Sequence, residues 1–341
     1  MKILVAVSGG VDSAVCALLL KNQGHEVSLV HFVMHKAGVK NLPDVRRVAE
    51  VLQLPLYEKF LEAEFEEKVT KFFISEYLSG RTPNPCVRCN PTFKFFQLLA
   101  LGDELGCEKV ATGHYAKVTV DAEGKPHLWE GDNPKKDQSY FLSGLSAEQL
   151  KRVVFPLAGY CKDETRRKAC EAGIPVAQKK DSQEICFVPN DDYPAFLLQR
   201  APEAFKPGPI CDVTGTKTGE HAGLPYYTIG QRKGIGAHCA RKYVVRLDAE
   251  NNTVIIGDNS DLITSEVKLG NFHWINEKPE KSFWAKAKIR STSPPKECEV
   301  ILKKENTVLL RFKEPERAAA PGQAGVVYAA GEVLGAGTIE L

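Results

Sequence analysis

The stretch Lys2-Ile3-Leu4-Val5-Ala6-Val7-Ser8-Gly9-Gly10-Val11-Asp12-Ser13 decides the fold. Lys2 to Val7 is an apolar, β-branched run and reads as a strand. Ser8-Gly9-Gly10 reads as a turn, and residues 12–22 as a helix that Gly24 ends. Residues 26–32 return as a second strand. This βαβ unit predicts an α/β fold built on a doubly wound parallel sheet. Further helices are expected over 44–52, 62–78 and 93–105, and a further strand over 109–112.

Around Pro202 to Pro209 the texture changes to Pro, Gly, Thr and short β-rich runs. Strands are expected over 243–247, 253–256, 285–290, 298–303, 307–312 and 325–328. The expected organisation is a catalytic domain over 1–200, a small central β-rich domain over 201–264 and a C-terminal β-barrel over 265–341.

The 341 residues suffice for two or three domains with their own cores, and 43% hydrophobic with 26% charged residues is a globular composition. No stretch reads as a signal or a membrane span, so a cytoplasmic location is expected. A net charge of +2 excludes a general polycation. Residues 135–168 nevertheless carry eight basic against four acidic side chains, an excess that could hold phosphates.

The first loop has a definite chemistry. Two glycines allow a tight turn that aims backbone N–H groups at an anion, and the helix N-terminus adds its dipole. Ser8 and Ser13 can donate hydroxyl hydrogen bonds, and Asp12 could hold a Mg²⁺ against phosphate. The Gly-Lys-Ser/Thr of a Walker loop is missing, which argues against γ-phosphoryl transfer.

Ten cysteines point to thiol, metal or redox chemistry rather than a disulfide framework. Cys16 sits in an apolar helical run and reads as core. Cys86 and Cys89 show CxxC spacing in Arg81-Thr82-Pro83-Asn84-Pro85-Cys86-Val87-Arg88-Cys89-Asn90, which reads as an exposed Pro-rich loop where Arg81 and Arg88 favour thiolate. A third thiol, Cys186, follows in Asp181-Ser182-Gln183-Glu184-Ile185-Cys186-Phe187.

The hexapeptide Ser8 to Ser13 resembles the pyrophosphatase loop of the family that includes GMP synthetase, asparagine synthetase and the tRNA thiolation enzymes. That resemblance implies an adenine nucleotide hydrolase-like sheet and ATP that adenylates an oxygen. From end to end the chain resembles the bacterial tRNA-specific 2-thiouridylases. The likeness is carried by Ser8 to Ser13, Arg81 to Asn90, Ala111-Thr112-Gly113-His114-Tyr115, Lys136-Asp137-Gln138-Ser139-Tyr140, Asp181 to Phe187, Tyr227 to Gly234, and Pro321-Gly322-Gln323.

The resemblance implies catalytic roles for Cys89, Cys186 and Asp12, with Cys186 carrying sulfur as a persulfide that Cys89 releases. It implies ATP contacts at Ala6, Val7, Ser8, Gly9, Gly10, Val11, Asp12, Ser13, Met34 and Gly113. It implies tRNA contacts at Asn84, Pro85, Cys86, His114, Lys136, Asp137, Gln138, Arg290, Ser291 and Gln323. The target base must be flipped, because a stacked uridine hides its 2-position. The expected partners are tRNA and a sulfur-donor protein, with no membrane.

Two departures stand out. Many family members carry Asp where this chain has Cys86, so Cys86, Cys89 and Cys186 also resemble the ligand set of iron–sulfur-dependent thiolation enzymes, with a [4Fe–4S] cluster. The segment from His31 to Asp44 is short for the family, which bears on Met34. Competing expectations are a different ATP-pyrophosphatase ligase, for which residue 2 offers no N-terminal nucleophile cysteine, and an iron–sulfur or zinc RNA-binding module. Thiolation at the 4-position comes with other appended domains than this β-rich half.

Overall fold

A computed structural model gives the protein's structure and describes residues 1–179, 185–236 and 240–340. The first domain is a five-stranded, wholly parallel sheet in the order β3-β2-β1-β4-β7. Its strands are β1 (Lys2–Ala6), β2 (Glu26–Val33), β3 (Leu56–Phe60), β4 (Lys109–Ala111) and, after an intervening hairpin of β5 (Ala116–Val120) and β6 (Pro126–Glu130), β7 (Val153–Val154). Ile3, Leu4 and Val5 are all fully buried, as expected for a strand covered on both faces. The two-residue period divides them: Ile3 and Val5 pack with the helix Val11–Asn22, Leu4 with the helix Phe95–Glu104. Cys16 is core, as read from sequence.

Strand order reverses between β1 and β4. The crevice beyond the carboxyl ends of these two strands is the topological switch point, where doubly wound sheets bind ligands. The loop Ser8–Ser13 leaves β1 there, and Thr112-Gly113-His114 leaves β4 beside it.

The helix expected over 62–78 forms as Glu62–Phe65, a π-helical turn Glu66–Thr70, and Lys71–Leu78. A second π turn, Asn90–Lys94, joins a short helix Pro85–Cys89 to Phe95–Glu104.

The central domain is a four-stranded sheet of β8 (Gly208–Asp212), β9 (Lys217–His221), β10 (Tyr243–Asp248) and β11 (Thr253–Gly257), with β8 and β11 parallel. Six antiparallel strands follow: β12 (Ile263–Trp274), β13 (Phe283–Lys288), β14 (Lys296–Leu302), β15 (Val308–Arg317), β16 (Ala324–Ala329) and β17 (Glu332–Glu340). They run in the order β12-β15-β14-β13-β16-β17, and β17 pairs back with β12 to close a barrel. Closure removes the exposed edges an open sheet would leave. The hairpin β5–β6 belongs to this sheet too, because β6 pairs with β17 through Leu128↔Val333 and Trp129↔Glu332. No helix among the described residues is long and apolar enough to cross a membrane.

Candidate active site

The loop Ser8–Ser13 is held from within. Ser13 Oγ accepts from the Ser8 N–H at 3.1 Å, lies 3.3 Å from Ser8 Oγ and donates to Gly10 O at 3.1 Å. Gly9 takes φ +78, a left-handed conformation that favours glycine. Ala6 ends β1, buried Val7 follows it, and Val11 begins the helix as a buried residue.

Gly113 explains how β4 shapes the loop. A Cβ there would stand 2.6 Å from Asp12 C and from Ser13 N, so only glycine lets the two segments meet. Met34 follows β2, half-buried between two apolar clusters.

Asp12 is engaged within the protein. Both of its carboxylate oxygens accept from Lys162 Nζ at 2.8 Å, and Tyr115 OH donates to Oδ1 at 2.7 Å. On the other side, Lys179 Nζ donates to Gly9 O at 3.1 Å, Asn41 Oδ1 at 3.0 Å and Asp44 Oδ2 at 2.7 Å. Two lysines and a tyrosine thus border the loop. Sequence reasoning missed Tyr115 and Lys179 and gave Lys162 only a share in a general basic patch. No local signal marks them, because each reaches the loop from a distant part of the chain.

The thiol segment is not an exposed loop. Asn84 caps a helix that starts at Pro85, its side-chain oxygen accepting from the Val87 N–H at 3.4 Å. Pro85 and Cys89 are buried and Cys86 half-buried. The arginines do not act on the thiols as expected: Arg81 pairs with Glu76 at 2.9 Å, and Arg88 lies 4.8 Å over the Phe72 ring.

Burial pushes the Cys86 thiol up and the Cys89 thiol up to about 11. Cys186 is exposed, next to the buried Phe187, yet its thiol is also raised, to about 12, first by desolvation and then by Cys86 and Cys89. The opposing charge on all three is Lys94, which has no carboxylate partner among the described residues. The thiols therefore sense one another. However, no group of three Cys, His, Asp or Glu side chains among the described residues is placed to hold a metal ion. Residues 181–184, part of the third motif, lie outside the described residues, as does Cys239.

His114 is half-buried between the Phe95 and Phe155 rings, 2.6 Å from Thr112 Oγ1 through Nδ1, and burial keeps its imidazole neutral. Asp137 faces inward: it accepts from Gly131 N and Ser139 N at 3.0 Å and Ser139 Oγ at 2.9 Å, and pairs with Lys288 at 3.4 Å. Gln138 Oε1 accepts from the Tyr115 N–H at 3.0 Å, and Lys136 is engaged as well. The basic excess over 135–168 is largely bound up by the protein itself. Lys151 pairs with Glu148, Arg152 with Asp103 and Lys162 with Asp12, while Arg166 donates to the carbonyls of Ala177 and Lys179. Arg290 Nη2 donates to Ile229 O at 3.3 Å and Ala318 O at 2.9 Å, tying the barrel to the central domain, with Ser291 half-buried next to it. Gln323 Nε2 donates to Thr82 O at 2.8 Å, which brings it to the thiol segment.

This arrangement defines an α/β domain with two appended β-domains. Family models match as a tRNA methyl transferase HUP domain over 1–190, a tRNA methyl transferase PRC-barrel domain over 194–258 and an aminomethyltransferase beta-barrel domain over 264–339. A Geobacter metallireducens protein named tRNA-specific 2-thiouridylase MnmA is 43% identical, covering 99% of this chain and 96% of its own. A Caldanaerobacter subterraneus protein named tRNA-specific 2-thiouridylase MnmA 1 is 45% identical, covering 99% and 98%. A solved 4-thiouridine synthetase–RNA complex with bound ATP covers 59% of this chain and 50% of its own at 21% identity and TM-score 0.36, too slight a likeness to carry an argument. The chain belongs to the tRNA-specific 2-thiouridylase family.

Proposed function

We propose that the protein is an ATP-dependent tRNA-uridine 2-sulfurtransferase acting on the wobble uridine. The observation that carries this reading is the pairing of two features in a chain aligned end to end with named 2-thiouridylases. One is the glycine loop at the switch point, and the other is the set of mutually sensing thiols Cys86, Cys89 and Cys186.

ATP binds against Ser8 to Ser13, with Ala6, Val7, Met34 and Gly113 lining the nucleotide. The uridine 2-oxo group attacks the α-phosphate and pyrophosphate leaves. Lys162 and Lys179 supply the positive charge beside the phosphates, and Asp12 orients Lys162. Cys186 carries sulfur as Cys–S–S⁻, which attacks C2 and displaces AMP. The Cys89 thiolate then attacks Cys186 Sγ. The S–S bond to the nucleoside breaks, 2-thiouridine leaves, and a Cys89–Cys186 disulfide forms that a thiol reductant reopens. Asn84, Pro85 and Cys86 flank the flipped base. Lys136 and His114 contact the RNA directly, with Asp137 and Gln138 supporting the same segment, and Arg290 and Ser291 border the RNA from the barrel. A protein persulfide donor in the cytoplasm loads Cys186.

Cys186→Ser is expected to abolish 2-thiouridine in tRNA nucleosides, measured by mass spectrometry, while ATP binding stays within twofold. Retained thiolation would overturn the mechanism. The same protein, purified anaerobically and active, is expected to hold no stoichiometric iron or acid-labile sulfide. Both in equimolar clusters would replace the persulfide relay with cluster chemistry.

A further inference from the structure

The thiol helix is anchored to the barrel at one residue. Thr82 lies two residues before the cap Asn84, and both of its backbone groups are taken by the turn between β15 and β16. Its N–H donates to Pro321 O at 2.8 Å, and its carbonyl accepts from Gln323 Nε2 at 2.8 Å. Gly322 completes the clamp. It takes φ +91, and a Cβ there would stand 3.1 Å from Thr82 N and 3.2 Å from Arg81 Cβ. The turn is fixed in its own domain by Gly322 N–H to Ile339 O at 3.1 Å and Ile339 N–H to Gln323 O at 2.8 Å.

The far end of the thiol segment is held separately. Asn90 Nδ2 donates to Phe141 O at 2.8 Å, and Gln149 Nε2 to Pro91 O at 2.9 Å. The two anchors are themselves joined, because Tyr140 OH donates to Ala324 O at 2.8 Å. Pro85–Cys89 runs on through the π turn into Phe95–Glu104, which fixes its C-terminal side, so the grip on Thr82 is what holds its N-terminal side.

We propose that Gln323, with the turn Pro321–Gly322, is a positioning element for the sulfur chemistry: it fixes the backbone at Thr82 and thereby the placement of Cys86 and Cys89. The barrel then serves the thiols as well as any RNA it touches. This rests on the assignment of Cys89 to sulfur release.

The test is Gln323→Glu, nearly isosteric but without the donor, so that an acceptor faces Thr82 O. Labelling by iodoacetamide is followed for Cys89 and for Cys298, which is fully buried in the barrel. It is run without tRNA or ATP, and steady-state thiolation is measured in parallel. Cys89 labelling is expected to quicken several-fold with Cys298 unchanged, and kcat to fall with KM for tRNA within twofold. Gly322→Ala is expected to act in the same direction. Unchanged Cys89 labelling with a raised KM would make Gln323 a plain RNA contact and overturn the proposal. So would faster labelling of Cys89 and Cys298 together, or loss of the fold, since the contact would then serve global stability. Should Cys89→Ser remain fully active, the sulfur-release assignment fails, while the labelling result still tells whether the turn positions the helix.

Discussion

Cys89 is 8% exposed and its thiol is raised to about 11, so at neutral pH it rests protonated. A protonated thiol of this kind is a weak nucleophile and is slow to react with oxidants, and under the proposed mechanism it becomes reactive only when a persulfide sulfur is delivered next to it. The one charge working against burial at Cys86, Cys89 and Cys186 is the ammonium of Lys94, whose own backbone N–H also bonds Cys89. The alkylation rate follows the thiolate fraction, so for Cys89 it is expected to rise about tenfold per pH unit from pH 8 to 10. A positive neighbour favours thiolate and lowers the thiol's value. Lys94→Met must therefore move this rising limb to higher pH and slow labelling at any fixed pH below it. Peptide mass spectrometry of Cys89 after timed alkylation measures both, and a limb unmoved by the substitution would remove Lys94 from the site. Lys94 went unnoticed in the sequence because it lies outside the CxxC motif, five residues on, and only the π turn Asn90–Lys94 brings it back.

At the scale of elements, the β1 loop and the β4 end were legible because their signals are short-range: an apolar strand running into a glycine turn, and for β1 a buried helix after it. The helix Pro85–Cys89 was legible in principle and misread. Its Pro-Asn-Pro start looks like a loop, but Asn at the cap with Pro in the first turn is also a helix-start signature. The π turns Glu66–Thr70 and Asn90–Lys94 leave no mark in composition, so one continuous helix was expected over 62–78 and a separate helix only over 93–105. Gly113 ties two elements together, and its conformation is not left-handed, so space alone makes it indispensable. In Gly113→Ala the added methyl meets backbone atoms that cannot rotate away, and the cost of such overpacking is about 1–3 kcal/mol. The loop Ser8–Ser13 must yield before the buried sheet does. The expected result is a loss of ATP affinity of at least tenfold by calorimetry with the helical circular dichroism retained. Unaltered ATP binding would separate the β4 end from the nucleotide site.

The whole molecule is joined by a feature that local patterns do not show. Hairpin β5–β6 pairs across about two hundred residues with β17, and a buried ionic network crosses the same seam. Lys288 on β13 lies 3.4 Å from Asp137 and 3.5 Å from Glu130, with its ammonium 5.3 Å over the Tyr328 ring. The Asp137 side chain is 2% exposed and that of Lys288 9%. Asp137 was expected to contact RNA from its place in the family resemblance, with the basic residues around it as a second sign, and sequence cannot tell an outward carboxylate from one that closes a seam. Removing it in Asp137→Ala leaves Lys288 underpaired and three donors, Gly131 N, Ser139 N and Ser139 Oγ, without their acceptor. Breaking a buried pair from one side costs about 3–5 kcal/mol. Lys288→Met is expected to cost less, since those donors still hold the carboxylate. The three tryptophans, Trp129, Trp274 and Trp284, all lie on the hairpin or the barrel, so their fluorescence reports the seam. Urea unfolding followed by that fluorescence should show a clear drop in midpoint for Asp137→Ala and a smaller one for Lys288→Met. Equal and negligible shifts would mean that the strand pairing alone joins the catalytic sheet to the barrel, and that Asp137 is free to serve the RNA.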